Sequence, residues 1–396
     1  MALGLNACKV GEVYSEIFDF FLTIFDYYFI TFLAFYEGDV DLENKEKNRL
    51  PLALGDGSSL ASSVVRFGGL SLASGSEVKE NDDFGLINNH LSRAIEELQE
   101  HVDKKIVPKK ERSSMLADTY FRLGYDKRAY RVSDCGSFLE FRLSDSGRKL
   151  TRANFCRDRL CPVCNWRRSL KIFSQVSRVM DLVESSGCQF AFLTLTLRNE
   201  SADTFPDMVQ SLYDGWRYLY HNNGIFKKVV RGTLRFLEVT INHKQHTFHA
   251  HLHVVLAVSS DYFHKFYISQ SKWTEMWAAA CGLDYVPIVH IEKFKSKPGF
   301  ADLGSAVAES CKYAMKDFDY LVESDAWRSI YVQTLLRGLF GRRLFGKTGC
   351  FGKVWRDLKL GDPESGDLVD DDIQLRDDLD CMLVRYAWRS GVYVRI

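Results

Sequence analysis

The stretch FHAHLHVVL (248–256) decides how the middle of this chain is read. Successive side chains of a β-strand point to opposite faces, so His249, His251 and His253 would share one face. The residues between them, Ala250 and Leu252, would fill an apolar face on the other side. A strand with a purely structural task has no need of three histidines, and the row therefore requires a chemical explanation.

The residues that precede this strand predict a β-hairpin. GTLRFLEVTIN (232–242) reads as a second strand and is joined to FHAHLHVVLAV (248–258) by the polar turn HKQHT. Glu238, or its neighbour by register, would then share the face of His251 and His253. Two imidazoles and a carboxylate can hold one divalent ion and leave coordination positions open. The alternative is a group of core or surface histidines without a metal.

Elements on both sides of the hairpin complete a fold pattern. They are a strand FAFLTLTLR (190–198), a helix over 205–222, a helix over 260–282, a strand over 285–294 and a helix over 301–317. The order β-α-β-β-α-β-α is typical of an α+β fold, with a ferredoxin-like or RRM-like antiparallel sheet and flanking helices.

Charge and composition divide the chain into segments. The 396 residues are 46% hydrophobic and carry no net charge, so the total gives no argument for a nucleic-acid partner. Residues 104–178, however, hold 19 Lys/Arg against 7 Asp/Glu, and residues 361–380 hold 9 Asp/Glu against one Arg. We expect an N-terminal appendage over 1–100 and a basic zinc-binding module over 104–178. A catalytic domain over 186–345 and a C-terminal segment with an acidic loop over 346–396 would follow.

The appendage contains the one membrane-like run of the sequence, FDFFLTIFDYYFITFLAFY (18–36). Asp19 and Asp26 interrupt it, which favours an amphipathic or buried helix over membrane contact. Ten cysteines without a secretory leader indicate reduced thiols or metal ligands, and hence a cytoplasmic protein.

Four cysteines have the spacing of a metal site. Cys156, Cys161 and Cys164 lie close together in sequence, and Cys135 would complete four thiolates around a structural Zn²⁺. The alternative is a set of buried thiols without a metal. A basic patch with one aromatic residue surrounds this segment and is expected to contact DNA, unless it is a solvated face; it consists of Arg157, Arg159, Trp166, Arg167, Arg168 and Lys171.

A helix downstream of the hairpin carries a second polar group. Glu309, Tyr313 and Lys316 follow at i, i+4 and i+7, which places them on one helical face. A tyrosine hydroxyl has a reference pKa of about 10 and reacts at neutral pH only with a polarised electrophile or a nearby cation. The alternative is a solvent-facing stripe with Tyr313 packed in the core.

Three motifs in this order resemble those of the HUH endonucleases, and most closely the single-tyrosine Rep proteins of rolling-circle plasmids. They are FLTLT (192–196), HAHLH (249–253) and the KY-x-x-K helix (312–316), with CRDRLCPVCNWRRS (156–169) upstream and, more loosely, RGLFGRRLFGKTG (337–349) downstream. The resemblance covers about residues 117–350.

The resemblance implies roles for individual residues. His251 and His253 match the paired ligands of a Mn²⁺ or Mg²⁺ ion, with Glu238 as the best candidate for the third ligand and His249 outside this set. Tyr313 matches the nucleophile. Glu309 matches the carboxylate that activates water at termination, and Lys316 the lysine that steadies the phosphate or the phenolate.

In the implied reaction, the tyrosine attacks single-stranded DNA in a hairpin of the plasmid double-strand origin. The product is a 5′-phosphotyrosine link and a 3′-hydroxyl primer, and later rejoining releases a circle. The resemblance implies a host helicase and polymerase as partners, and a homodimer is also compatible with it. No nucleotide cofactor is implied, because the covalent link conserves the energy of the broken bond.

Two alternatives stay open from the sequence. A transposase or relaxase would use the same metal and tyrosine. A zinc-stabilised DNA-binding regulator without nuclease activity would not need Tyr313 at all.

Overall fold

A computed structural model of the chain describes residues 92–144, 147–294, 316–369 and 381–396. These residues belong to one compact unit, Val78–Ile396. The apolar run 18–36 and the helix residues Glu309 and Tyr313 lie outside the described residues. Within the described part, no helix combines the length and the apolar character needed to cross a membrane.

The described elements begin with a helix α1 over 92–101, which continues through one π-helical turn, Val102–Ile106. The next elements are α2 (Val107–Arg122), α3 (Asp126–Asp134), β1 (Phe138–Ser144), β2 (Gly147–Ala153), α4 (Pro162–Ser185), β3 (Gln189–Thr196), α5 (Phe205–Asn222), α6 (Gly224–Val229), β4 (Val230–Asn242) and β5 (Thr247–Val258). They are followed by α7 (Tyr262–Lys265), α8 (Gln270–Cys281), β6 (Val289–Lys293), α9 (Asp317–Tyr320), α10 (Asp325–Gly338), β7 (Phe345–Thr348), α11 (Gly349–Asp357), β8 (Met382–Arg389) and β9 (Val392–Arg395).

The larger sheet has the strand order β6-β3-β5-β4-β7, and every neighbouring pair is antiparallel. The predicted hairpin is confirmed, because β4 pairs with β5 along its length and Glu238 lies directly opposite His251. The protein is thus an α+β structure in which helices flank antiparallel sheets.

The two faces of this sheet differ along β5. Ala250, Leu252 and Val254 are fully buried on the face that α5, α8 and α10 cover. On the opposite face α4 and α11 cover only one end of the sheet, where Val255 and Ala257 are buried. The histidines occupy the other end of that face and are only half-buried. The partial cover explains why β5 alternates in its first half and is continuously apolar in its second.

Helix α4 shows why this cover forms. Pro162 occupies its first turn, where a missing N–H costs nothing. Its buried apolar residues recur at helical spacing, and they are Ile172, Val176, Val179, Met180 and Val183.

A second sheet joins distant parts of the chain in the order β2-β1-β8-β9. Strand β1 pairs with β8 so that Leu139 lies opposite Tyr386. No strand was predicted for residues 346–396, and this sheet is visible only in the structure. The segment that carries the cysteines is therefore completed by the C-terminal strands.

One predicted helix is interrupted. The expected helix over 260–282 is divided into α7 and α8, and Ser269 caps α8 by accepting a hydrogen bond from the N–H of Lys272. The strand expected over 285–294 is shorter, Val289–Lys293.

Candidate functional site

The uncovered end of the larger sheet holds a group of three polar side chains. One oxygen of Glu238, Oε2, lies 3.1 Å from Nε2 of His251 and 2.7 Å from Nε2 of His253. Nitrogen and oxygen ligands about 2.1 Å from one ion and at right angles to each other are about 3 Å apart. The three side chains can therefore hold a divalent ion, and they leave coordination positions open for a substrate.

Residues of β3 orient one of these imidazoles. Nδ1 of His253 lies 3.2 Å from the hydroxyl Oγ1 of Thr194, and the ring of Phe192 stacks on His253 with the centroids 5.3 Å apart. A hydrogen bond at Nδ1 fixes the ring so that Nε2 faces the carboxylate. Nδ1 of His251, by contrast, is buried and has no hydrogen-bond partner among the described residues.

Electrostatics keep these groups in the forms that bind a metal. Burial would raise the pKa of the Glu238 carboxyl, but hydrogen bonds with His251 and His253 outweigh it and hold this pKa well below its usual range. Burial, together with the nearby His251, lowers the pKa of His253. At neutral pH Glu238 is therefore ionised and His253 is neutral, as metal binding requires.

His249 lies beside this group but not in it. Its ring centroid is 5.1 Å from that of His251, and burial lowers its pKa to about 4. The three residues with converging ligand atoms do not include His249. His249 thus adjoins the group without contributing a converging ligand atom.

The short helix α9 carries a further carboxylate, Asp319, which is influenced by the charge of Glu238 and was not predicted from the sequence. Burial raises the pKa of Asp319 to about 6, and the charge of Glu238 acts on it in the same direction. The neighbouring Asp317 forms an ion pair with Arg112, with Nε and Oδ2 2.8 Å apart. Lys316 is the first described residue after the predicted nucleophile Tyr313. The alternation of Asp with aromatic residues in DFDY (317–320) is the sequence feature that could have pointed to Asp319.

The four predicted zinc ligands are brought together between α3, α4 and the loop that precedes α4. The Sγ atoms of Cys135 and Cys164 are 3.5 Å apart, and that of Cys156 is 3.6 Å from Cys164. Cys161 lies 3.6 Å from Cys135, and all four thiols are free. Thiolates 2.3 Å from one tetrahedral ion are about 3.8 Å apart, whereas a disulfide needs about 2.05 Å. The geometry fits a closed metal site with four protein ligands.

The surroundings of the cysteines supply hydrogen bonds and a positive charge. Backbone N–H groups of Arg157 and Asp158 donate to the sulfurs of Cys164 and Cys156 at 3.2 and 3.4 Å. Burial lowers the pKa of Lys110, and the charges of Cys135 and Cys161 oppose that effect. Lys110 is 1% exposed and was not singled out from the sequence, where it is one of many lysines.

Hydrogen bonds between the sulfurs shift the pKa values of Cys161 and Cys135 in opposite directions. Burial would raise the pKa of Cys161, but hydrogen bonds with the other three cysteines hold it well below its usual value. Those hydrogen bonds raise the pKa of Cys135. Of these two residues, Cys161 is therefore the one that favours the thiolate.

Three members of the predicted DNA-contacting patch face inward. Arg167 donates to the backbone carbonyls of Leu368 and Val369, and Lys171 donates to that of Asp367. Arg168 donates to carbonyls within the cysteine loop. All three are less than 8% exposed, so their charges bind the chain itself and are not available to phosphates, in contrast with the expectation.

The same contacts change the interpretation of the acidic segment. Its first part does not form a solvated loop, because residues 361–369 lie along α4 and accept the hydrogen bonds of the buried cations. Asp362 also pairs with Arg343 through both carboxylate oxygens, at 2.7 and 2.8 Å.

The other members of the patch remain near the surface. Arg157 is exposed and Arg159 is half-buried, with its Nη1 2.5 Å from the carbonyl of Leu339. Trp166 is half-buried between two basic residues, Lys109 and Arg167.

One segment fits the consensus of phosphate-binding loops, G-x-x-x-x-G-K-[ST], and it is GRRLFGKT (341–348). In such loops the second glycine and the lysine lie between a strand and a helix, where backbone N–H groups and the lysine side chain bind the phosphates. Here Gly346 and Lys347 belong to β7, which pairs with β4. Lys347 also places its ammonium 4.6 Å from the ring centre of Trp355. The geometry is that of a sheet edge and does not form a phosphate-binding loop.

Comparison with known proteins identifies the family. The replication protein family matches residues 147–394. A "Protein rep" of Bacillus amyloliquefaciens is 37% identical over 287 residues, which cover 66% of this chain and 84% of that protein. A "Protein rep" of Streptococcus pneumoniae is 34% identical over 293 residues, 72% of this chain and 89% of that protein. No solved structure shows significant similarity. This chain therefore belongs to the replication protein family, the Rep initiators of plasmids.

Proposed function

We propose that this protein initiates rolling-circle replication as a metal-dependent, site-specific endonuclease and strand transferase on single-stranded origin DNA. The observation that carries the proposal is the convergence of His251, His253 and Glu238 on the uncovered end of the sheet. Family membership supports the role in replication. We also propose that the larger sheet is the ferredoxin-like core of an HUH domain.

A Mn²⁺ or Mg²⁺ ion held by the three side chains would polarise the scissile phosphate. In the proposed step the hydroxyl of Tyr313 loses its proton and its oxygen bonds to phosphorus, while the bond from phosphorus to the 3′ oxygen breaks. The 3′ oxygen takes up a proton and becomes the primer end. The 5′ phosphate stays on the tyrosine, so the energy of the broken bond is retained.

Two further residues have proposed roles in the same reaction. Glu309 accepts a proton from water when replication terminates, and Lys316 stabilises negative charge on the phosphate or the phenolate. The four cysteines bind a structural Zn²⁺, which keeps the basic module folded beside the sheet. We place this activity in the cytoplasm, with a host helicase and polymerase acting on the nicked origin.

The test is a search for a covalent adduct. Purified protein is incubated with Mn²⁺ and labelled single-stranded oligonucleotides that tile the DNA around its own gene, beside the variant Tyr313→Phe. We expect a denaturation-resistant adduct that the variant does not form. Absence of an adduct on every oligonucleotide, with DNA binding intact, would instead favour the regulator without nuclease activity.

A further inference from the structure

We propose that a second site on this protein binds single-stranded DNA, in a cleft beside the cysteine loop. The cleft has a volume of about 1,090 Å³ and lies between the start of α3, the cysteine loop and the end of α10. None of the residues that line it belongs to the Glu238, His251 and His253 group. The inference deepens the proposed function and rests on it for the source of the strand.

The lining of the cleft is predominantly cationic. Its basic residues are Lys127, Arg128, Arg131, Arg157, Arg159 and Arg337. Two acidic residues, Asp126 and Asp158, also line it. Asp158 is 5% exposed and already accepts a hydrogen bond from Tyr120 at 3.0 Å and pairs with Arg128 at 3.2 Å. The excess positive charge suits a phosphate backbone.

Aromatic rings stand among these charges. Phe340, two residues after the end of α10, is 85% exposed, and Tyr125, directly before α3, is 40% exposed. An exposed phenylalanine has no hydrogen-bonding task, but its face can stack on a nucleobase. A cationic groove with aromatic rings is the usual arrangement for binding single strands without sequence preference.

The cysteine site fixes the backbone of Arg157, one of the arginines of the cleft. Arg157 has a φ of 59°, a left-handed conformation that costs energy for a residue with a side chain. Its N–H donates to the sulfur of Cys164 at 3.2 Å, and its carbonyl accepts from Arg168 at 2.6 Å. The buried side of the loop thus holds the backbone in place, and the side chain of Arg157 remains exposed.

The rings distinguish a single strand from a duplex. Bases in a duplex are already stacked and paired, so Phe340 and Tyr125 could not stack on them without unpairing. A flexible single strand can present its phosphates to the arginines and its bases to the rings at the same time. We therefore assign the cleft to unpaired DNA that flanks the nicked segment.

The test measures binding without cleavage. The full chain with Tyr313→Phe is titrated against labelled oligothymidylate and against a duplex of the same length, by fluorescence anisotropy at several salt concentrations. Phe340→Ala should weaken binding to the single strand at least about fivefold, which is the loss of one stacked base. Arg131→Gln should reduce the slope of log K against log salt by about 0.7.

Matched controls lie outside the cleft. Tyr218→Ala removes a ring that is 52% exposed on α5, and Lys353→Gln removes an exposed charge on α11. Both should bind the single strand as the parent does. Unchanged binding in Phe340→Ala and Arg131→Gln would overturn the proposal, and so would an equal loss of duplex binding in Phe340→Ala.

The result can be separated from the proposed nuclease function. In the chain with Tyr313 present, the cleft variants should still form the adduct on a short oligonucleotide that spans only the nick site. If the parent forms no adduct but the binding differences appear, the cleft stands and the nuclease proposal fails.

Discussion

The two groups of potential metal ligands differ in closure. The four cysteines offer four protein ligands, and three of these residues are fully buried. The Glu238, His251 and His253 group offers three ligands that are only half-buried, on a face that helices leave partly uncovered. A closed set leaves no position for a substrate, whereas an open set does. The same fold therefore contains one site suited to stability and one suited to chemistry.

The largest effect should come from the closed site. Cys164→Ser should remove metal binding there and lower the free energy of unfolding by about 3–5 kcal/mol, because four packed thiol groups would lose their shared cation. Denaturant unfolding and zinc content by mass spectrometry would measure both quantities. Cys381→Ser, at an exposed cysteine, should change stability by less than about 0.5 kcal/mol. Equal stability of the two variants would show that the cysteines bind no structural metal.

The open site should show the reverse pattern. Glu238→Gln keeps the shape of the side chain but removes the ionised ligand, so adduct formation should fall at least about a hundredfold. Its melting temperature should stay within a few degrees of that of the parent, which corresponds to a change of about 1 kcal/mol in the free energy of unfolding. His264→Ala, at an exposed histidine on α7, is the control for activity. If Glu238→Gln lowered the free energy of unfolding as much as Cys164→Ser does, the proposed difference between the two sites would be wrong.

A smaller change sharpens the comparison without removing a ligand. Thr194→Val deletes the hydroxyl that lies 3.2 Å from Nδ1 of His253, which should raise the Mn²⁺ concentration needed for half-maximal cleavage about tenfold. The rate at saturating Mn²⁺ should be nearly unchanged. Thr274→Val, on α8 at the opposite face of the sheet, should leave the Mn²⁺ dependence as it is. An unchanged Mn²⁺ dependence in Thr194→Val would mean that this hydroxyl does not orient the ligand.

The smallest expected effect depends on pH. The folded pKa of Asp319, about 6, lies above its unfolded value of about 3.9, so folding disfavours the ionised form. The resulting penalty is absent below about pH 4, grows as the pH rises through the folded pKa and is complete above it. Without added Mn²⁺ or Mg²⁺, Asp319→Asn should therefore stabilise the protein by about 1–2 kcal/mol at pH 7.5 and by almost nothing at pH 4. Thermal melts at both pH values would measure this, and a gain that is equal at both would contradict it.

Local periodicity was sufficient to predict the open site. The alternation in β4 and β5 and the short turn between them predicted that the histidines share a face with either Glu238 or its neighbour. The register observed in the structure, with Glu238 opposite His251, decided between the two. The grouping of Cys135, Cys156, Cys161 and Cys164 was also predictable from local sequence. Three of these cysteines lie close together in the chain, with the spacing of metal ligands.

Contacts between distant segments were not predictable in this way. Arg167 and Lys171 looked like phosphate ligands because a sequence shows charge but not the carbonyl groups that will meet it. Those carbonyls belong to residues about 200 positions later in the chain. The pairing of β1 with β8 and the burial of Lys110 beside the cysteines were not predictable for the same reason, because both depend on contacts that form only in the folded chain.

The pairing of β1 with β8 also determines when this protein becomes complete during its synthesis. Tyr393 donates to the carbonyl of Gly136, next to Cys135, and the N–H of Trp388 donates to the carbonyl of Ser137. Ribosomes deliver these partners only after the histidine strand and the cysteines have emerged. Until then β1 is paired only with β2, and its other side remains an open sheet edge. A nascent chain, or one truncated before β8, thus lacks a finished support for its cysteine loop.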